Sequence, residues 1–173
     1  MKFRLAALLG LVLLASPVQA ERLKFDHRLS PALKAALDAN NPALIDFNDS
    51  NPRYVTDLIA VQGKSAKDWT EALLIVARAP DKKVRTVADW VAELQDEGQR
   101  RCPSTFRTLA GDGGSATFER VSTGCQAGYP NVALYRIVAG TRSLFLLGFL
   151  SKGEPSQATR QQWAAVLASA AIE

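Results

Sequence analysis

Histidine is almost missing from this chain. The 173 residues hold one, His27, and only two cysteines, Cys102 and Cys125. A Ser-His-acid triad needs its histidine on a rigid scaffold. His27 falls in the charged segment Glu21–Arg28, expected at the periphery, so an idle histidine is the expectation. Zinc sites commonly draw on several His and Cys ligands, and this chain cannot assemble such a set once its cysteines are oxidised. The Gly-x-Ser-x-Gly elbow of hydrolases is missing as well. Gly111-Asp112-Gly113-Gly114 lacks the lysine and the following helix of a phosphate loop. Ser65-Ala66-Lys67 is too short a match to indicate a Ser-Lys dyad. Carboxylates at Glu71, Glu93, Asp96 and Glu119 are available, but solvated faces are the default for them, and no glycosidase pair can be named from spacing alone. No catalytic, metal-binding or cofactor-binding residue emerges. The expectation is a protein without enzymatic activity or cofactor, with a carboxylate-dependent hydrolase of the cell envelope as the alternative.

What the chain does have begins with a leader. Lys2 and Arg4 supply a charged start, Leu5 to Ala15 an apolar core, and Ser16-Pro17 a break. Val18-Gln19-Ala20 places small residues where a signal peptidase reads them. The apolar run is well short of the ~20 residues a membrane span needs. The reading is a signal peptide over 1–20, cleaved after Ala20, and a periplasmic or secreted protein without stable membrane insertion. Taking Lys2 and Arg4 from the 21 basic residues leaves 19 against 17 acidic ones, a net charge of +2. Lys82, Lys83, Arg85, Arg100 and Arg101 are interleaved with Asp81, Asp89, Glu93, Asp96 and Glu97. That is a solvated mixed-charge face, so nucleic acid is not an expected partner.

The middle of the chain organises the rest. Val87, Trp90, Val91 and Leu94 share one face of a helix. Thr86 and Asp89 form a capping box with Asp in place of Glu or Gln. Gly98 is one stop for this helix; Gln99 to Arg101 could carry it a turn further, to Cys102-Pro103. Ser104–Leu109 and Ala116–Val121 then flank glycines and read as a hairpin. A two-residue Gly113-Gly114 turn sets Cys102 across from Cys125, Phe106 across from Val121 and Arg107 across from Arg120. A Gly111–Gly114 loop moves the cysteines about two residues out of register. The first is favoured because it brings the thiols within disulfide reach, despite the like charges it opposes. Two cysteines in an exported chain mean one bridge, Cys102–Cys125.

Elsewhere, Ser30-Pro31 starts a short helix. Asp46–Pro52 is dense in turn formers and reads as a plain turn rather than a calcium loop, since Asn51 stands where that loop wants glycine. Tyr54–Val61 reads as a strand, Gln62–Ser65 as a turn, and Ala72–Ala77 as a strand covered on both faces. Val132–Val138 and Ser143–Leu150 flank Gly140-Thr141 as a type II′ hairpin, with Leu144–Leu150 as a central strand. Pro155-Ser156 opens a last helix whose stripe is Thr159, Trp163, Val166, Leu167 and Ala170. No repeat, low-complexity tract or linker occurs. The order predicts an α+β fold: a single, mostly antiparallel sheet packed by two long helices and one short one. The division is a leader (1–20), an N-terminal segment with a short helix (21–52) and one α+β domain (53–173).

Within Tyr54–Val76, an apolar strand, Gly63, and Trp69-Thr70-Glu71 opening a second apolar strand are similar to small exported bacterial proteins of unassigned function. The element order over residues 53–172 also resembles the PsbP/Mog1-like sandwich. That resemblance implies a fold and transfers no functional residue. Trp90 and Trp163 lie on helix stripes and read as core. Trp69 lies at a loop-to-strand junction, where core or edge cover is the default reading. If exposed, it is the first candidate for a recognition residue. The expected partner is an envelope protein or a small ligand.

Overall fold

The computed structural model describes residues 21–48 and 54–173. The expected leader at 1–20 and positions 49–53, which include most of the expected Asp46–Pro52 turn, lie outside the described residues. In chain order the elements are β1 (Leu23–Lys24), α1 (Pro31–Asp38), β2 (Ile45–Asn48), β3 (Tyr54–Ser65), β4 (Asp68–Arg78), α2 (Val87–Arg101), β5 (Ser104–Asp112), β6 (Ser115–Ser122), β7 (Val132–Ala139), β8 (Leu144–Ser151), α3 (Gln157–Ala168) and β9 (Ala171–Ile172).

The α+β expectation holds in its coarse form: a large antiparallel sheet and three helices. The expected single sheet does not. Among the described residues, seven strands form one sheet in the order β2-β3-β4-β8-β7-β6-β5, and β1 pairs with β9 in a separate ribbon. The ribbon escapes a sequence reading because its strands are two residues each and lie at opposite ends of the chain.

Strand period 2 sends alternate side chains to opposite faces, and each face has its own core. Beneath α2, Trp90 and Val87 pack with Phe118, Tyr135, Ile137, Leu144 and Leu146. On the other face, Trp163, Val166 and Leu167 of α3 and Leu33 of α1 pack with Ile59, Leu73, Leu134, Leu147 and Phe149. Residues of the N-terminal segment are therefore built into the same body. β8 lies at the middle of the large sheet, every residue of it buried, as the unbroken apolar run from Leu144 requires. Burying side chains of this size contributes about 1.5–3 kcal/mol each.

Helix α2 begins on the capping box read from the sequence. The Thr86 side chain accepts from the Asp89 N–H, and the Asp89 carboxylate accepts from the Thr86 N–H at 3.0 Å. It runs through Gly98 to Arg101, taking the longer of the two expected endings, and Cys102 lies in extended backbone as the following Pro103 demands.

Three local readings are corrected. The β5–β6 turn is Gly113-Gly114, with Asp112 opposite Ser115. A bulge at Leu109 then shifts the register by one. Arg107 therefore faces Glu119, and Phe106 faces Arg120; the expected Arg107–Arg120 opposition is absent. The β3–β4 hairpin extends past the expected Gln62–Ser65 turn to Ala66-Lys67, through irregular register about Gly63. Gly63 has φ 137°, and a Cβ there would lie 2.4 Å from the Asp68 carbonyl oxygen, so only glycine fits this approach. The β7–β8 connection is the four-residue Gly140–Ser143, not a Gly140-Thr141 turn. The Glu21 carboxylate accepts from the backbone N–H groups of Thr141 and Arg142, a distant partner that local turn chemistry cannot foresee.

Candidate functional site

Helix α2 sits over β5, β6 and β7. It leaves the same face of β3 and β4 only partly covered, and Thr56, Leu58, Leu74 and Val76 are half-buried there. Between the helix wall and this stripe runs a cleft of about 190 Å³. Trp90, Glu93, Leu94 and Glu97 form one wall, and Tyr54, Thr56, Leu74, Val76 and Arg78 the other. The floor is apolar. The acidic groups stand on the helix rim, because Glu93 and Glu97 are one turn apart.

Arg78 closes one end of the cleft. It is the last residue of β4 and only 8% exposed. Its guanidinium donates to Glu93 Oε2 at 2.7 Å and to Asp81 Oδ2 at 2.8 Å, and lies 5.4 Å from the centre of the Trp90 ring. Pro80 ends the strand, and Asp81 then accepts from the N–H groups of Lys83 and Val84. Those backbone donors, with Arg78 beside them, push the Asp81 carboxyl down to about 2. The result is a charged staple from the end of a sheet strand to a helix. Arg at the end of the apolar run before Pro80-Asp81 was its one visible signal. The Glu93 partner, 15 residues on, carried none.

At the start of β3, exposed apolar residues lie on both faces of the sheet. Phe47 is 70% exposed, Val55 47% and Tyr54 40%. Phe47 pairs with Asp57 on the adjacent strand, which places it on the face opposite the cleft, beside Val55. An exposed phenylalanine next to an exposed valine has an unfavourable hydration free energy that a partner covering them would relieve.

Trp69 does not belong to this surface. It is 9% exposed, packs in the core beneath α2, and carries the Lys152 ammonium 4.3 Å from its ring centre. The exposure on which its recognition role depended is missing. Cys102 and Cys125 are joined, their sulfurs 2.09 Å apart, and they tie the end of α2 to the loop after β6. His27 is half-buried in a single helical turn, Asp26-capped, ahead of α1.

Two carboxyls, Asp57 and Glu71, are pushed upward by burial. They lie on one face of the sheet, yet Asp57 is opposite Ile75, four residues along β4 from Glu71. That is about 13 Å along the strand, with buried Leu73 between them. Glycosidic pairs stand ~5–9.5 Å apart, so these two do not form one. Among the described residues, no three His, Cys, Asp or Glu side chains are grouped to hold a metal ion. Nor is any described helix long and apolar enough to cross a membrane.

No family model matches this chain, and no curated protein does. The geometry alone carries the functional argument.

Proposed function

We propose that this is an exported binding or accessory protein without enzymatic activity, and that it docks an envelope protein through the α2–β3–β4 cleft and the apolar end of β3. The observation that carries the reading is the uncovered stripe itself. A half-buried apolar floor beside a helix runs out to exposed Tyr54, and Val55 and Phe47 are exposed on the opposite face of the same strand end. At about 190 Å³ the cleft is smaller than the ~300–1,000 Å³ of small-molecule sites, so it suits one anchoring side chain. With Glu97 on its rim beside the Arg78–Glu93 pair, that anchor is an apolar stem ending in a positive charge, the amphipathic form of lysine or arginine. The bridged cysteines and the leader-like first 20 residues support an oxidising compartment, the periplasm or beyond. The layered order of helices on both faces of an antiparallel sheet is compatible with the PsbP/Mog1-like resemblance.

The test is a photo-crosslinking residue placed at position 54, with a control at exposed Thr108 on the far edge strand, in the exported protein in cells. The expected result is one adduct from position 54, none from 108, and loss of that adduct on Leu94→Glu. Equal labelling from both positions, or none from either, overturns the docking reading. Turnover in a broad hydrolase screen that disappears in Asp57→Asn or Glu71→Gln would put the hydrolase in its place.

A further inference from the structure

Three charged side chains are buried among the described residues: Arg78, Glu119 and Arg120. Arg78 carries two carboxylates, from Asp81 and Glu93. Glu119 carries two guanidinium groups, from Arg107 and Arg160. Arg120 is 4% exposed, and no carboxylate of the described residues makes an ion pair with it. A buried charge without a counter-charge is costly.

The surroundings of Arg120 offset part of that cost and no more. Its stem lies under α2 where Gly98 leaves room; a Cβ at Gly98 would be 3.3 Å from Arg120 Cδ. Its guanidinium lies 4.6 Å from the centre of the Tyr129 ring and 5.9 Å from that of Tyr135, which is worth something as cation–π contact. A guanidinium has five N–H donors. Arg120 donates two bonds, one to the Tyr129 hydroxyl and one to the Pro130 carbonyl at 3.0 Å. The buried Nε has no hydrogen-bond partner among the described residues.

Both acceptors come from one loop, between β6 and β7. Cys125 anchors it, and Gly124 and Gly128 hold positive φ of 65° and 91°. On the outside of this loop is a cleft of about 400 Å³ lined by Arg101, Gln126, Ala127, Gly128 and Tyr129. Arg101, from the last turn of α2, lies 5.6 Å from the same Tyr129 ring. Tyr129 thus lines a ligand-sized cleft together with Arg101 and, through its hydroxyl, also bonds the buried Arg120.

We propose that this cleft is a carboxylate-binding site. The incoming carboxylate passes Arg101, displaces the Tyr129 hydroxyl and accepts hydrogen bonds from Arg120. A flat two-oxygen anion matches the guanidinium fork, and a monoanion balances the single buried charge. The carboxylate belongs either to a small organic acid or to the C-terminus of a peptide. The site shares no residue with the α2–β3–β4 cleft, so either can fail while the other stands.

The test follows the Arg120 Nε–Hε signal by NMR in the folded, oxidised protein. Three probes are titrated: acetate, an N-acetylated dipeptide with a free C-terminus, and the same dipeptide as its C-terminal amide. The expected result is saturable binding of the free acids, with the amide about tenfold weaker or more. Arg101→Gln, at an exposed position, weakens the acids by about tenfold. Tyr129→Phe tightens them several-fold, because the competing oxygen is gone; a purely structural tyrosine would leave affinity unchanged. Peptide binding tighter than acetate assigns the site to a chain terminus, and equal binding to a small acid. The proposal is overturned if neither free acid saturates, if the amide matches the acid, or if affinity ignores both substitutions. These two variants avoid reliance on Arg120→Gln, which removes a core side chain.

Discussion

Arg107 stands directly across from Glu119 on the neighbouring strand, its Nη2 2.8 Å from the carboxylate. The bulge at Leu109 makes this pairing. Without it Arg107 would face Arg120. Glu119 also accepts from Arg160 of α3, so one buried carboxylate ties an edge strand to a helix. Glu119→Gln is expected to lower stability by about 2 kcal/mol, as loss of a charged hydrogen-bond acceptor does. Arg107→Ala should cost under ~1 kcal/mol, since its side chain is 71% exposed and water screens it. Urea unfolding of the two variants checks the order.

The bridge between Cys102 and Cys125 closes a separation of 23 residues. In the chain-entropy account a loop of this length stabilises the fold by about 3 kcal/mol. The double variant Cys102→Ser, Cys125→Ser should show that loss in denaturant, and the native protein should match it after reduction. A native protein indifferent to reductant would contradict the account.

Stability should rise and then fall as the solution is acidified from neutrality. Burial holds Asp57 and Glu71 above their ordinary 3.8 and 4.5. Their ionisation opposes folding at neutral pH, and that opposition disappears as pH falls through their folded values toward the unfolded ones. Asp81 works the other way. Its folded value of about 2 lies below the ordinary 3.8, so its contribution is full above about pH 4 and is lost between there and about pH 2. Asp26, Asp89 and Asp112 are lowered too, chiefly by hydrogen bonds. Thermal unfolding from pH 2 to 8 should therefore peak on the acid side of neutrality, and Asp57→Asn with Glu71→Gln should flatten the neutral limb.

Gly98→Ala tests how tightly α2 lies on the sheet. Alanine in a helix interior gains about 1 kcal/mol over glycine from propensity alone. Here its Cβ would come within 2.8 Å of Phe106 Cζ. Overpacking of this kind costs about 1–3 kcal/mol, so the substitution is expected to destabilise by about 1 kcal/mol net. A stabilised variant in thermal melts would mean that Phe106 moves aside freely.

Phe47→Ser and Tyr54→Ser should separate folding from docking. Both side chains are exposed, so each change should alter stability by less than ~0.5 kcal/mol. Partner crosslinking from a neighbouring groove position should nevertheless fall several-fold. Unchanged crosslinking in both would remove the end of β3 from the interface.

The sequence made helices and cysteines legible where the signal was local. Thr86 and Asp89 lie three residues apart and announced α2; Ser30-Pro31 announced α1; the Gly113-Gly114 turn was readable. What was not legible depends on distant partners. The Leu109 bulge answers to Glu119 across the hairpin. Glu21 caps a loop some 120 residues away, and β1 pairs with β9 at the other end of the chain. The candidate cleft was hidden for the same reason: Trp90 read as core, which it is, and nothing local said that α2 would stop short of β3 and β4. The expected register set Arg120 across from Arg107, whereas it faces Phe106 beneath α2 and is buried there.

The large sheet is two meanders, β2-β3-β4 and β5-β6-β7-β8, sharing one seam where β4 meets β8. Arg78 pairs there with Leu144 and Glu71 with Ser151, sequence separations of 66 to 80 residues. Until the chain has emerged as far as Ser151, the apolar flank of β4 has no neighbour. A nascent or truncated chain ending before β8 therefore carries an open, sticky strand, and closing that seam is where aggregation is expected to compete with folding.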